Sequence, residues 1–227
     1  MKAAPDTPSG KLLSQLGSWM SILDFEQAMT AYFLGERSKE EVAAFRAKKG
    51  AMKKLRDEVS PVLHHIRFTQ ATGDIRFELN SNIPDCWLRA NASAQPQGLE
   101  LTCAQSYEQH ILGEEMNKGK VTPGFLGLPL DAKPKFAEAK LARGRVMYTS
   151  DSALKAVGTS IKQCLTKKNK AKFAGHNLLI EAPLSCLPRQ RWAQIEDDLK
   201  QAASVLPFKE IHIIGDQDTK PFGFRIK

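Results

Sequence analysis

The stretch IRFELNSNIPDCWLRANASAQPQGLELTC, residues 75–103, decides the fold of this chain. Within it three short runs, IRFEL, CWLRA and LELTC, alternate apolar and polar residues, which is the pattern of a half-buried β-strand. Two turn-rich segments, SNIPD and SAQPQG, separate these runs. The stretch therefore predicts a sheet meander of three strands near residues 75–80, 85–91 and 98–103.

The residues before the meander have helical spacing. Apolar residues predict one helix over residues 10–35, which stops at Gly35. A second helix is expected from Ser38, which forms a capping-box pattern with Glu41. Pro61 is expected to kink or end that helix, because proline lacks the backbone N–H that a helix interior needs.

The residues after the meander predict further helices and two apolar strands. In chain order we expect a helix at 106–117, a long Gly/Pro/Lys segment, a basic helix at 151–172, a strand at 177–182, a helix at 189–204 and a strand at 210–215. An apolar strand, a helix and another apolar strand suggest a parallel pair joined by a crossover helix. The whole pattern predicts an α/β fold with a central mixed sheet flanked by helices.

Composition excludes several classes of protein. The 227 residues are 42% hydrophobic and 26% charged, which is ordinary globular usage. No apolar run approaches the roughly 20 residues of a membrane helix, and the N-terminus lacks the apolar stretch of a signal peptide, so we expect a cytoplasmic protein. The four cysteines are scattered, which argues against a zinc ribbon or a disulfide framework. The chain has neither a Gly-x-Ser-x-Gly motif nor a phosphate loop of the Gly-x-x-x-x-Gly-Lys type.

Positive charge is concentrated in one segment. Residues 118–172 hold thirteen Lys or Arg against three acids, a net charge of +10, so the rest of the chain sums to −2. Such a concentration predicts a phosphate-binding face, with nucleic acid as partner, DNA ahead of RNA, rather than a membrane. A homo-oligomer is left open. The candidate nucleic-acid-binding residues are Lys167, Lys168, Lys170, Lys172, Arg143 and Arg145.

Two carboxylates are expected to converge on the sheet. If the second and third strands pair, alternation brings Asp85 and Glu100 to the same face, and Glu58 lies near the end of the preceding helix. Mg²⁺ takes oxygen ligands and needs only one or two protein carboxylates. The alternative is that Asp85 begins a strand after a turn and that Glu100 is a solvated strand residue.

These residues resemble a known family. The stretch LRDEVSP at 55–61, then Pro84-Asp85 and Leu99-Glu100-Leu-Thr102, is similar to the PD-(D/E)XK, restriction-endonuclease-like nuclease superfamily. The resemblance implies a restriction-endonuclease-like core within residues 38–227, preceded by an N-terminal helical extension at 1–37. It also implies that Asp85 and Glu100 hold Mg²⁺ or Mn²⁺, and that Glu58 is an outer ligand.

The chain departs from the family at one position. The lysine of the motif should stand two residues after the glutamate, where this chain has Thr102. Lys162 is the candidate for a catalytic replacement, with Lys167 behind it, and Gln105 is a candidate for positioning a water. The sequence thus predicts a magnesium-dependent endonuclease, with a catalytically inactive nucleic-acid-binding or protein-interaction module as the alternative.

Two further features have competing interpretations. Adjacent helical residues point about 100° apart, so His64 and His65 are favoured as structural or surface residues rather than as ligands of one metal. Trp19, Phe25 and Phe33 could make the N-terminal helix a partner-binding arm, but ordinary packing against the core is preferred.

Overall fold

A single mixed sheet organises the protein. The computed structural model describes residues 7–80, 82–143, 148–217 and 221–227, and within them seven strands lie across the sheet in their chain order. The strands are β1 (Met20–Ser21), β2 (Asp74–Phe77), β3 (Cys86–Arg89), β4 (Gln97–Cys103), β5 (Asn177–Ala182), β6 (Ile211–Gly215) and β7 (Gly223–Arg225).

Helices flank this sheet on both sides. They are α1 (Pro8–Leu16), α2 (Ile22–Leu34), α3 (Lys39–Arg46), α4 (Ala51–Lys54), α5 (Ser60–Thr69), α6 (Ser106–Asn117), α7 (Pro134–Leu141), α8 (Ser150–Lys168) and α9 (Ala193–Ser204). A π-helical turn, Leu55–Val59, joins α4 to α5.

The predicted α/β class and mixed sheet are confirmed. Strands β2, β3 and β4 form an antiparallel meander, as the alternating runs predict. Strands β4, β5 and β6 are parallel neighbours, and α9 is the crossover helix between β5 and β6. The two apolar strands are buried along almost their whole length, which explains why their sequences do not alternate.

The core has two layers, one on each face of the sheet. Leu101 and Leu179 pack on one face in a cluster that includes apolar residues of α2 and α5. Leu178 and Ile180 pack on the other face against α8 and α9. The alternation of neighbouring residues between the two clusters follows from the two-residue period of a strand.

The N-terminal segment differs from its prediction, because it forms two helices rather than one. The Ser21 hydroxyl accepts a hydrogen bond of 3.0 Å from the Asp24 N–H and caps α2, while β1 pairs with β2 through Met20 and Ile75. Leu16 and Phe25 are buried in the same cluster as the sheet residues. The burial of Phe25 agrees with the preferred packing interpretation rather than with an exposed arm.

Pro61 does not end its helix, and of the two expected outcomes only a local disturbance, a π-helical turn just before Pro61, is present. The Ser60 N–H and the Ser60 hydroxyl both donate to the Leu55 carbonyl, the latter at 2.9 Å, and α5 continues through Pro61 to Thr69. The wider π-helical turn absorbs a residue that cannot donate a helical hydrogen bond. This turn carries Asp57 and Glu58.

The long Gly/Pro/Lys segment is held by a buried acid. The Glu108 carboxylate accepts hydrogen bonds from the N–H groups of Leu126 at 2.6 Å and Leu128 at 2.7 Å. Both leucines are buried, so this part of the segment packs against the protein. No helix in the described ranges is long and apolar enough to cross a bilayer.

Candidate functional site

A cleft of about 650 Å³ opens along the free edge of β4. Strand β3 pairs only with residues 97–99 of β4, so the second half of β4 extends beyond the end of its neighbour. The Leu101 N–H, which has no strand partner on that side, donates to the Asp85 Oδ2 atom at 2.7 Å. The π-helical turn, β4, the start of α6 and the end of α8 contribute the walls.

Glu58 and Asp85 line this cleft, and Glu100 lies on β4 next to Asp85, where its charge acts on that carboxylate. Burial, together with repulsion from Glu100, raises the pKa of Asp85 to about 6, although the Leu101 N–H opposes the rise. Burial, together with repulsion from Asp85, raises the pKa of Glu58 to about 7 despite the nearby Lys54 ammonium. Asp85 therefore lies between the other two acids and repels both.

Two lysines partly compensate these acids. The Lys168 Nζ atom lies 2.5 Å from Glu100 Oε1, and the Lys54 Nζ atom lies 3.2 Å and 3.1 Å from the two Glu58 oxygens. The second oxygen of Glu100, Oε2, is buried and has no hydrogen-bond partner. A buried carboxylate oxygen without a partner is costly, and it is an acceptor that a cation would satisfy.

The position of Lys162 corrects the sequence analysis. Lys162 pairs with Asp198 of α9 and lines a different cavity, so its amine lies away from the three acids. Lys168, which we expected only to contact nucleic acid, is the lysine that approaches Glu100. Thr102, at the position of the motif lysine, donates its hydroxyl to the Cys164 sulfur of α8 at 3.6 Å.

The remaining water-positioning and amine candidates have different surroundings. Gln105 is buried, with its exposed fraction at 2%, and its Nε2 atom has no hydrogen-bond partner. Lys167 is exposed and lines the cleft beside Lys168.

Sequence reasoning missed the side of the cleft that comes from residues 48–57. The Lys48 Nζ atom lies 2.6 Å from Asp57 Oδ1 and 3.1 Å from the Ser106 hydroxyl, and Lys48 and Lys53 both line the cleft. The signal was present as two lysine pairs just before Asp57-Glu58, but nothing in the sequence tells which lysines face the sheet.

A second acidic centre lies one strand away. Glu181 of β5 is completely buried, and its Oε1 atom lies 3.3 Å from the Arg56 guanidinium and 3.9 Å from His64 Nδ1. Burial alone would raise the pKa of Glu181, but Arg56, His64 and Lys48 outweigh it and hold that pKa below its usual value. Cations outweigh the effect of burial at Glu181, whereas Lys54 and Lys168 compensate the acids of the cleft only in part.

The two adjacent histidines occupy separate buried positions. His64 approaches Glu181, whereas the His65 ring lies 5.0 Å from the His212 ring. Burial, aided by His212, lowers the pKa of His65 to about 4. Both placements agree with the structural interpretation that was favoured.

The basic segment does not form one face. Lys167 and Lys168 line the cleft, whereas Lys118 and Lys120 pair with Glu115. The other predicted nucleic-acid-binding positions are exposed at Lys170, Lys172 and Arg143, while Arg145 lies outside the described residues.

Two searches for known features gave negative results. Over residues 7–80, 82–143, 148–217 and 221–227, no three or more His, Cys, Asp or Glu side chains have the arrangement of a metal site. Comparison of the chain with models of known families, with curated proteins and with solved structures finds no match. Any functional assignment must therefore come from the chemistry of the cleft.

Proposed function

We propose that this protein is a nuclease that hydrolyses phosphodiester bonds of nucleic acid with Mg²⁺ or Mn²⁺. The observation that carries the proposal is the placement of Asp85, which lines the open cleft, opposite Glu100 at the free edge of β4, where the buried Glu100 Oε2 atom has no hydrogen-bond partner. Acids that repel one another lower the stability of the folded protein. Such acids at an accessible site are typical of functional sites, because there activity can outweigh the loss of stability.

Although no three side chains of the described residues are arranged as a metal site, two adjacent carboxylates provide the oxygen donors that a hard divalent cation takes. Mg²⁺ commonly uses one or two carboxylates, and completes its shell with water and substrate phosphate. Asp85 and Glu100 would hold the cation, with Glu58 as an outer carboxylate. When bound, such a cation polarises a phosphoryl oxygen and lowers the pKa of a bound water.

Lys168 supplies the amine that the family motif has at the position of Thr102. Its Nζ atom is anchored on Glu100 Oε1, and it lines the same cleft. From there the ammonium would bind a non-bridging phosphate oxygen and stabilise negative charge that develops on it. This assignment replaces the one expected for Lys162.

The architecture also supports a restriction-endonuclease-like core. A helix carrying an acid precedes the β2–β3–β4 meander, and a helix and then a parallel strand follow it. This is the order that the superfamily resemblance implies, with its acids at the same relative positions.

The decisive experiment compares isosteric variants in a cleavage assay. Single- and double-stranded DNA and RNA are incubated with the protein and Mg²⁺ or Mn²⁺. We expect Asp85→Asn and Glu100→Gln to abolish cleavage, and Lys168→Ala to lower kcat strongly. The matched controls are Asp198→Asn and Lys162→Ala, which alter an acid and a lysine of the exposed pair on α8 and α9 and should leave cleavage unchanged.

Metal binding gives a readout that is independent of turnover. Calorimetry should detect Mg²⁺ or Mn²⁺ binding to the wild-type protein, and Asp85→Asn should remove it. Absence of cleavage with every substrate, together with absence of metal binding that depends on Asp85, would refute the proposal.

A second candidate function is nucleic-acid binding without cleavage. The observation that favours it is that Lys54 and Lys168 already pair with Glu58 and Glu100, so that the acids have cationic partners within the chain. A silent module should bind nucleic acid with the same affinity in EDTA and in Mg²⁺, with a steep loss of affinity as salt rises.

A further inference from the structure

A second cavity of about 400 Å³ lies on the same face of the sheet as the acids, near the start of β4 and β5. Trp87, Gly98, His176 and Lys209 line it, together with the loop at residues 95–97. Trp87 is paired with Gly98 in the antiparallel register. Alternation therefore places Trp87 on the face that also carries Asp85, about 7 Å further along the strand.

The Trp87 and His176 rings form one wall of this cavity. Their centroids lie 5.9 Å apart, and the ring planes are 83° from parallel. The His176 backbone is fixed at both ends, because its N–H donates to the Phe173 carbonyl at 3.2 Å and its carbonyl accepts the Lys209 N–H at 2.9 Å. Both rings remain half exposed. The wall is thus an aromatic surface that is held in place and accessible.

Glycine at position 98 is required for this arrangement. A Cβ atom there would lie 2.4 Å from the His176 Nδ1 atom and 2.6 Å from Pro84 Cγ. Any side chain at this position would push the imidazole off the edge of the sheet. The close approach of His176 to β4 therefore depends on a residue without a side chain.

Resting on the proposed function, we propose that the Trp87–His176 cavity binds an unpaired nucleobase of the substrate strand, next to the phosphodiester held at Asp85 and Glu100. The substrate class is accordingly single-stranded nucleic acid, or a strand with an unpaired end. Aromatic rings bind successive bases by stacking, and they tolerate sequence because every base has a π-face. A base within a duplex is already stacked on both sides and cannot offer that face.

The charges around the cavity suit the backbone of the same strand. Lys209 is exposed at the cavity, and Lys172 is exposed with its Nζ atom 5.0 Å from the Phe173 ring, just before His176. The Lys168 Nζ atom also lies 5.0 Å from the centroid of the Phe173 ring, and it contacts Glu100. A row of amines thus joins the aromatic wall to the acids, as expected for a groove that follows phosphates.

The test measures binding in EDTA, where no cleavage occurs. Fluorescently labelled oligothymidylate and a duplex of equal length are titrated with the wild-type protein and with variants. We expect single strands to bind more tightly than the duplex, and Trp87→Leu to weaken single-strand binding on the order of tenfold, the value of one stacked base. His176→Ala should also weaken it, whereas Trp87→Phe should retain most of the affinity.

The matched control is Trp19→Leu. Trp19 is also half buried, and its ring centroid lies 4.1 Å from the Arg89 guanidinium, just before β1 rather than at the cavity. The Trp19→Leu substitution should leave oligonucleotide binding unchanged. Circular dichroism and thermal unfolding establish that each variant is folded, and His176→Ala keeps the cavity testable if Trp87→Leu does not fold.

The outcomes separate this inference from the function on which it rests. Cleavage that requires Asp85, combined with single-strand affinity that Trp87→Leu and His176→Ala leave unchanged, would overturn the base-binding cavity alone. Equal losses for duplex and single strand, or an equal loss in Trp19→Leu, would also overturn it. No binding of single strands by the wild-type protein would also overturn the base-binding cavity, whereas the nuclease is overturned only by the cleavage and metal-binding assays.

Discussion

Two acidic regions lie on neighbouring strands and behave in opposite ways. Glu181 on β5 is fully buried, yet Arg56, His64 and Lys48 hold its pKa below the usual value despite its burial. Asp85, beside Glu100 at the free edge of β4, is less buried, and yet burial and repulsion raise its pKa to about 6. Burial therefore does not distinguish the two regions, whereas the sign of the neighbouring charges does.

The comparison separates an acid that cations hold ionised from an acid whose pKa is raised at the cleft. Both Glu100 and Glu181 have one carboxylate oxygen without a hydrogen-bond partner and a cation beside the other oxygen, but Asp85 next to Glu100 lines the cleft, whereas no residue next to Glu181 on β5 does. The acids of the cleft repel one another beside solvent, where a cation or a phosphate-bound metal can enter. Four measurements test this contrast.

The largest effect is expected from Glu181→Ala. Removing this carboxylate leaves the Arg56 guanidinium without its main partner in the interior, and breaking a buried pair in this way costs about 3 to 5 kcal/mol. The free energy of unfolding in urea measures the loss. A double variant, Arg56→Met with Glu181→Leu, should recover much of it. A loss in Glu181→Ala below that of an ordinary surface substitution would contradict the structural role.

Asp85→Asn should increase the stability of the protein, whereas Glu181→Ala should decrease it. The amide keeps an acceptor for the Leu101 N–H but removes the charge that repels Glu58 and Glu100. We expect a gain in unfolding free energy of up to roughly 3 kcal/mol at pH 8, since the pKa rises from 3.8 to about 6 and each pKa unit corresponds to about 1.4 kcal/mol. The same urea titration measures it, with Asp198→Asn as the control. A loss of stability would show that Asp85 is a structural acid like Glu181.

The dependence of these differences on pH sharpens the contrast. Asp85 has a raised pKa in the folded state, so its ionisation costs stability as pH rises from 3.8 to about 6. The gain in Asp85→Asn should therefore appear across that window and stay constant above it. Glu181 has a lowered pKa, so its contribution is complete above 4.5 and is lost as pH falls below that value.

Unfolding free energies at a series of pH values measure both curves. The advantage of Asp85→Asn should shrink towards acid because its repulsion disappears there. The deficit of Glu181→Gln should shrink towards acid because its ion pairs are lost. The distinction between Asp85 and Glu181 would be contradicted if Asp85→Asn and Glu181→Gln changed the free energy of unfolding with the same sign and the same dependence on pH.

The smallest effect is expected from Lys162→Ala. Its partner Asp198 is exposed, and pairs of this kind contribute 0 to about 1 kcal/mol. Neither stability nor metal binding should change beyond error. A clear effect of Lys162→Ala on metal binding would contradict the position of Lys162 away from the acids.

Much of the fold could be predicted from local pattern. The alternation in IRFEL, CWLRA and LELTC and the apolar runs of β5 and β6 depend on residues that are close in sequence, and the observed strands match them. The break between α1 and α2 could not be predicted, because β1 is only two residues long and exists through its pairing with β2. The continuation through Pro61 likewise depends on a π-helical turn that periodicity does not reveal.

The candidate site also has one part that could be predicted from the sequence and one part that could not. Asp85 and Glu100 could be placed on one face because strand alternation is local, and only the pairing of two adjacent strands had to be assumed. The lysine that lies beside the acids could not be predicted. Lys162 and Lys168 belong to one helix but are six residues apart, so they lie about 9 Å apart along its axis and on different sides of it.

The strands, the acids that alternate onto one face and the excess of basic residues all follow from local sequence. The pairing of each acid with a particular cation depends instead on how the layers of the fold pack together. Cys164 packs against Thr102, and this contact turns the last turn of α8, with Lys168, towards Glu100. Packing across the sheet likewise places the Arg56 guanidinium beside Glu181 and places Asp85 near Glu100. Charges that are far apart in the chain interact only after the helices and the sheet have packed together.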